Sequence, residues 1–389
     1  MPREITIGID GNEANQKIRV GSGVYAFELL KQFEKFQKSP ASPGTGRANI
    51  KYQIYLKNTP ITDLPKESST WRYVIIAPKS LWTQIGLPIE LWREKMFGRA
   101  PDIFFTPTHY APRFSPSPSV ISIMDLSFIH FPEMFNKKDL WQLKNWTGYS
   151  VKNAKKIITI SNFSKKDIIT YYGVNPEKVV VTYPGYDNKK FNPDIIGTKS
   201  KIKEKYKIDG EYILFVGTLQ PRKNIAQLIE AFKIAMKQFN NETMKLIVVG
   251  KKGWLYEEIF QKVKELRIEK RIIFTDYVKE EELPDLYRSA KCLVLPSLHE
   301  GFGIPVIEAM ACGCPVVVSN VSSLPEIVES AGVFVDPYRI ESIAEGINQV
   351  CYDEANRNKL IKKGLLQVKK FTWQKCAEET YNSIVKIYD

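Results

Sequence analysis

Short runs of aliphatic and β-branched residues alternate along this chain with longer stretches whose apolar residues recur at helical spacing. The first half places such runs at 5–10, 51–57, 72–77, 103–105, 120–124, 156–160 and 179–182, with helical patterns at 22–38, 87–97, 137–155 and 163–172 between them. The second half repeats the scheme. Its strand runs are 212–216, 245–249, 272–274, 292–295, 315–318 and 332–335, and its helices 224–239, 256–266, 280–289, 305–311 and 342–350. Runs this apolar belong to sheets covered on both faces. Strand–helix alternation predicts parallel, doubly wound sheets. The polar stretch 183–200, with Pro184, Gly185 and Pro193, separates the two series and reads as a linker. A second loop, 39–49, reads as a mobile insertion. The pattern thus predicts an α/β protein of two Rossmann-like domains facing each other across a cleft.

Composition narrows the class. The 389 residues are 43% apolar, ordinary for globular cores, and no apolar run reaches the ~18 residues that span a bilayer. The start of the chain has no signal-peptide pattern. Five scattered cysteines form no framework or zinc spacing, which points to a reducing cytoplasm. His109, His130 and His299 are too dispersed for an obvious metal site. The net charge is +13, and its placement is uneven: residues 1–190 hold 27 basic against 16 acidic residues, the remainder 29 against 27. A basic first half suits an anionic partner such as an anionic membrane, a nucleic acid or a phosphate-bearing acceptor; it equally suits a lysine-rich solvated surface. The aromatic and basic stretch 81–97 adds to the membrane expectation, unless Trp82 and Trp92 are core residues.

Three segments carry candidate chemistry. In 296–310 (PSLHEGFGIPVIEAM) a strand leads through Gly301, Phe302 and Gly303 into a helix with Pro305 in its first turn. Such a turn presents backbone N–H groups to an anion at the carboxyl end of a parallel strand. Glu300 and Glu308 would repel a phosphate there, so their functional reading is to accept hydrogen bonds from sugar or ribose hydroxyls. The bland alternative makes one a surface loop residue and the other a solvated helix residue. In 215–225 (FVGTLQPRKNI) a strand and glycine turn lead to Arg222 and Lys223 at a helix start. Cations are unfavourable there without an anion to offset them. In 21–26, Gly21 and Gly23 match a dinucleotide fingerprint. They trail their strand by about ten residues, however, and no acidic residue ends the next strand, so a phosphate-facing loop fits better than a dehydrogenase. No Asp-x-Asp pair occurs, so the usual divalent clamp on a diphosphate is missing, and no metal ligands are assigned.

The Glu300…Glu308 pair with seven residues between, followed by Ala309-Met310-Ala311-Cys312-Gly313-Cys314-Pro315-Val316, resembles glycosyltransferase family 4, retaining enzymes of the GT-B fold. Val216-Gly217-Thr218…Pro221-Arg222-Lys223-Asn224 is similar to that family's phosphate loop, and 159–164 (TISNFS) to its last N-domain strand and turn. Residues 124–133 (MDLSFIHFPE) resemble a mannosyltransferase branch. The resemblance implies a first domain, 1–185 with a C-terminal helix 372–389 crossing back to it, that binds the acceptor, and a second, 200–371, that binds the nucleotide sugar. Glu308 would hold the ribose, Glu300 the sugar hydroxyls near the reacting carbon, Arg222 and Lys223 the diphosphate, and Gly21 and Gly23 would approach it from the other domain. Backbone near Val278 would meet the base, and the amides of Gly301, Phe302 and Gly303 the sugar or phosphate. His109 would be the catalytic-side histidine, because the alternative position before Asp125 holds Met124; as a loop residue it has a plain structural reading too.

The implied reaction moves a hexose, with mannose from GDP-mannose favoured, to a hydroxyl of a glycan or lipid-linked acceptor in polysaccharide synthesis. The nucleotide sugar is a co-substrate, no resident cofactor is implied, and nucleic acid has no part. A cytoplasmic protein, peripheral on the inner membrane face, is the expected setting. Two rivals stand beside this reading: a nucleotide-sugar epimerase on the same fold and a non-catalytic glycan- or anion-binding protein. Thr372, ahead of Trp373, Ala377, Tyr381, Ile384 and Tyr388, reads as the cap of the final amphipathic helix.

Overall fold

In a computed structural model of the chain, residues 4–38, 50–77, 79, 81–194, 199–239, 241 and 243–387 are described. The insertion expected at 39–49 and the terminal Tyr388 lie outside them. Two compact units emerge: Met1–His130 with Asn136–Gly185 and Thr372–Asp389, and Phe131–Phe135 with Tyr186–Phe371.

The first unit is built on β1 (Ile5–Asp10), β2 (Ile50–Leu56), β3 (Trp71–Ile75), β4 (Ile103–Thr106), β5 (Ser119–Ile123), β6 (Lys156–Thr159) and β7 (Val179–Val181). They form one parallel sheet in the order β3-β2-β1-β4-β5-β6-β7. Winding reverses at β1, which pairs with β4 through Ile7↔Ile103 and Ile9↔Phe105. Every residue of β4 and β5 is buried, which is why these strands read as unbroken apolar runs. The Trp373–Val385 helix belongs to this unit. Thr372 caps it, its hydroxyl accepting from Lys375 N, and it packs on the Ser22–Lys38 helix through Tyr25–Trp373 and Phe36–Tyr381 ring contacts. Gly185 abuts this junction so closely that a Cβ there would sit 2.1 Å from Trp373 N, a place only glycine can take.

The second unit holds β8 (Tyr212–Val216), β9 (Lys245–Val249), β10 (Ile272–Asp276), β11 (Leu293–Leu295), β12 (Val316–Ser319) and β13 (Gly332–Val335). Their order, β10-β9-β8-β11-β12-β13, is again parallel and again reverses between two central strands, here β8 and β11. The Ile225–Gln238 helix covers one face with Ile225, Leu228, Ile229, Phe232 and Ala235, an i, i+3, i+4, i+7 stripe. It packs against Ile340–Cys351.

Two expectations need correction, and one element went unpredicted. The helix predicted from 280 begins at Leu283, because Pro284 can occupy only the first turn. The described part of the stretch read as a linker is packed, not loose: Phe191 is buried with its ring 6.1 Å from Tyr287, Arg288 donates to Asn192 O at 2.9 Å, and Lys190 pairs with Glu280 at 2.7 Å. The Glu354–Gln367 helix was not anticipated. Only Leu360, Gly364 and Gln367 on it are buried, too few to print a helical period on the sequence, although Asp353 caps it by accepting from Asn356 N.

Candidate functional site

In doubly wound sheets ligands bind beyond the carboxyl ends of the strands, where the winding reverses. In the second unit that place lies between the loops after β8 and β11. These are the two segments singled out above, and backbone contacts join them: Leu298 N donates to Arg222 O at 2.8 Å. Asn224 fixes the joint. It takes a left-handed conformation (φ 59°) at the N-cap of Ile225–Gln238, and its Nδ2 donates to Pro296 O at 3.1 Å and to Pro337 O at 2.7 Å. A glycine would adopt the same turn but would lose both bonds.

Glu300 sits at the centre, buried, among charged partners. Lys223 Nζ donates to its Oε1 at 2.5 Å, Ser297 Oγ to the same oxygen at 2.7 Å, and Arg222 Nη1 lies 3.5 Å from Oε2 while donating to His299 O at 2.7 Å. The Glu300 backbone is anchored as well, its N donating to Ser322 Oγ at 3.0 Å and its O accepting from Ser323 Oγ at 2.9 Å. Burial alone would push this carboxyl up; the Lys223 and Arg222 charges and the Lys223 and Ser297 hydrogen bonds outweigh it and hold the group below its ordinary range. Glu300 is therefore ionised, and the surface-loop reading of it fails.

Arg222 and Lys223 do not lie in the first turn of the α-helix, as the sequence suggested. They occupy a 3₁₀ turn, Pro221–Lys223, ahead of it. The anion that offsets them in the free protein is Glu300 itself. The triad carries a formal net charge of +1, with Arg222 partly open to solvent.

Gly301, Phe302 and Gly303 are buried in the turn that follows. Phe302 stacks edge-on against Phe371 at 5.5 Å, and Gly303, at φ 103°, caps the Ile304–Ala311 helix from a conformation that L side chains rarely adopt. Pro305 lies in that helix's first turn, as predicted. Glu308, one turn further, accepts from Tyr287 Oη at 3.1 Å. Burial pushes its carboxyl up to about 8, with Glu280 adding to the rise and the Tyr287 bond and Lys190 opposing it. Glu308 is half-buried and hydrogen-bonded rather than fully solvated, and the raised value favours its protonated form at neutral pH. Val278 is buried two residues past β10, next but one to Glu280, so the β10 loop lies on the Glu308 side of the site. Tyr287 and Ser297 were missed from the sequence. Tyr287 meets Glu308 across 21 residues, which leaves no local signal, whereas Ser297 lies only three residues before Glu300 and that spacing was the signal that could have found it.

Gly21, Gly23 and His109 belong to the first unit. Gly21 (φ 50°) immediately precedes the Ser22–Lys38 helix with open space where a side chain would be, while Gly23 packs against Glu13 O. His109 follows β4, beside the point where that sheet's winding reverses. Its ring meets Phe128 edge-on at 6.2 Å, and its Nδ1 is buried with no hydrogen-bond partner among the described residues. Burial pushes its pKa down and the Asp125 charge partly restores it, so the imidazole is neutral at pH 7.

Comparison with known proteins shows the family and the fold. The profile described as "Glycosyl transferases group 1" matches residues 198–367, and that of "Glycosyltransferase Family 4" matches 69–190. The chain is 34% identical over 282 residues to the O-antigen chain mannosyltransferase B of Escherichia coli, covering 72% of this chain and 73% of that one. The chain belongs to glycosyltransferase family 4. Sucrose-phosphate synthase of Thermosynechococcus elongatus superimposes with a TM-score of 0.75 at 18% identity over 99% of both chains. Anabaena HepE, solved in complex with UDP-glucose, gives 0.72 at 18% identity over 98% of this chain and 99% of that one. The family 4 chain has the GT-B fold and is a hexosyltransferase.

Proposed function

We propose that this enzyme transfers a hexose, mannose in the first instance, from a nucleotide diphosphate sugar to a hydroxyl of a glycan or lipid-linked acceptor, with retention of configuration and without a metal ion. The observation that carries the reading is the triad of Arg222 and Lys223 clamped by buried Glu300 at the winding reversal of the second sheet. The cations are held in place before any ligand arrives. A leaving diphosphate gains their charge with little reorganisation, which is the form of stabilisation that lowers a barrier most. An ionised carboxylate offers about four lone-pair sites, of which Lys223, Ser297 and Arg222 take three, so Glu300 retains capacity for a donor-sugar hydroxyl. Glu308 and Tyr287 supply the ribose end, and Val278 the base.

In this account the leaving phosphate oxygen takes the acceptor proton as the sugar departs, so the enzyme needs no strong base. A neutral His109 suits that role division, since it orients a hydroxyl without carrying a charge. Mannose is favoured because the 34% relative is named a mannosyltransferase, and its O-antigen role makes a polysaccharide or lipid-linked acceptor the first to try. The test is incubation with GDP-mannose, UDP-glucose and related donors in EDTA, with mannose-terminated acceptors, followed by NMR of the product. Transfer from one donor with unchanged anomeric configuration supports the proposal. Inverted product, transfer only on adding a divalent ion, or epimerised donor without transfer would each overturn a stated part of it.

A further inference from the structure

The first unit carries an apolar face that nothing in the donor site explains. In the Leu87–Met96 helix, Ile89, Trp92 and Met96 lie on one side at i, i+3 and i+7, and they are 61%, 46% and 81% exposed. Phe97 at 65% and Phe114 at 76% extend the face, with Leu81 and Ile85 at its other end. Trp92 Nε1 donates to Phe114 O at 2.8 Å, so the helix and the 114 turn are one surface. Leu81 and Phe114 both hold left-handed backbone, φ 48° and 53°, which bulky residues rarely adopt. The fold accepts two unfavourable conformations at positions whose side chains stand in water.

The charges around this face are sorted. Its two acidic residues, Glu90 and Glu94, are buried; Arg93 pairs with the first, and Arg72 and Arg99 with the second. The cations stay outside: Lys95 Nζ lies 4.9 Å over the Trp92 ring, the Arg99 guanidinium 5.2 Å over Phe97 and that of Arg113 5.0 Å over Tyr149. The opposite side of the same helix is ordinary core, with Leu87 and Leu91 packed beside Trp82, Tyr55 and Phe104. The result is an apolar ridge with an exposed tryptophan, rimmed by cations, on an inward-acidic helix.

We propose that this ridge is a docking surface for an anionic lipid bilayer, with Ile89, Met96, Phe97 and Phe114 entering the headgroup boundary, Trp92 at the interface, and Lys95, Arg93, Arg99 and Arg113 meeting lipid phosphates. Apolar insertion and cation attraction add in such interfacial binding, and neither alone suffices for stable residence. The surface is independent of the donor site, so its test needs no activity.

The experiment is sedimentation of the full chain with phosphatidylglycerol-containing vesicles and with pure phosphatidylcholine vesicles, at low and moderate salt, with the oligomeric state followed by light scattering. The expected result is binding to the anionic vesicles, weakened by salt. Met96→Asp/Phe97→Asp should reduce partition at least tenfold, and Lys95→Glu about fivefold or more. Both variants change exposed groups, and an unaltered thermal unfolding midpoint verifies that they fold. Equal binding to both kinds of vesicle, or binding to neither, overturns the proposal. So does unchanged partition of folded Met96→Asp/Phe97→Asp, or a dimer in solution that the same variant dissociates, which would assign the ridge to a second copy of this chain.

Discussion

Replacing Lys223 by methionine tests the clamp most severely. The substitution keeps the length of the side chain and removes its charge, leaving Glu300 buried with Ser297 and a 3.5 Å contact from Arg222. Breaking a buried pair by removing one partner costs about 3–5 kcal/mol, on the order of 10 °C in the transition of a domain this size. The cost must depend on pH. In the native protein the Glu300 carboxyl titrates below its unfolded value, so it contributes stability at neutral pH that is lost as pH falls through the folded value. Without Lys223, burial dominates and the folded value moves above the unfolded one. The variant then carries a penalty that is small in acid, where the group is protonated in both states, and grows as pH rises to neutrality. Thermal unfolding of both proteins at pH 4.5 and 7.5 reads the difference. A second variant, Lys223→Met/Glu300→Leu, should recover most of the loss, because replacing a buried ion pair by apolar groups is roughly neutral. Equal destabilisation at the two pH values, or a double variant as unstable as the single one, would refute the reasoning. The substitution is thus expected to act on the fold as well as on ligand binding, which the sequence alone, reading Lys223 as a free phosphate ligand, gave no cause to expect.

Two further predictions follow from the carboxyls. Glu300→Gln keeps the shape but removes the counter-charge, so turnover should fall at least tenfold while nucleotide affinity changes little, because an interaction strengthened in the transition state appears in kcat; steady-state kinetics giving a changed KM at constant kcat would contradict it. Glu308 holds a proton up to about pH 8 in the free protein, and ribose hydroxyls donate to the ionised form. Nucleotide binding at pH 7 should therefore release close to one proton, and affinity should rise with pH until it levels near 8, by at most about tenfold per unit. Calorimetric titrations in buffers of different ionisation enthalpy measure the proton, and release that persists in Glu308→Gln would exclude this source.

The elements were legible to the extent that burial wrote them into the sequence. β1, β8 and β9 and the Ser22–Lys38 helix can be bounded to the residue, because apolar runs and apolar stripes are the direct trace of two-sided and one-sided burial; β13 can be bounded as well, although only its Val335 is buried. Glu354–Gln367 left no such trace. The motif Glu300…Glu308 was legible as a unit, but the state of its members was not. Glu300 meets Lys223 across 77 residues, and Glu308 meets Tyr287 from a neighbouring helix; neither pairing has a local signature. The sequence puts Arg222 and Lys223 at a helix start, whereas Asn224 in left-handed conformation separates them from it. Trp82 and Trp92, ten residues apart and indistinguishable by type, part company in the fold: the first is core, the second stands on the exposed ridge.

Calorimetric titration of Arg222→Ala measures, without needing an acceptor, whether the second unit binds a nucleotide diphosphate through the triad. Arg222 is partly exposed and touches Glu300 only at 3.5 Å, so its loss leaves the Lys223–Glu300 pair in place. Against GDP, UDP and the corresponding nucleosides, the native protein should prefer one diphosphate over its nucleoside. Arg222→Ala should weaken that diphosphate by about 1.5–3 kcal/mol, the worth of a charge-assisted contact, and leave the nucleoside unchanged. Equal affinity of native and variant for every diphosphate, or equal weakening of diphosphate and nucleoside, would contradict the assignment of this cluster to the donor's phosphates.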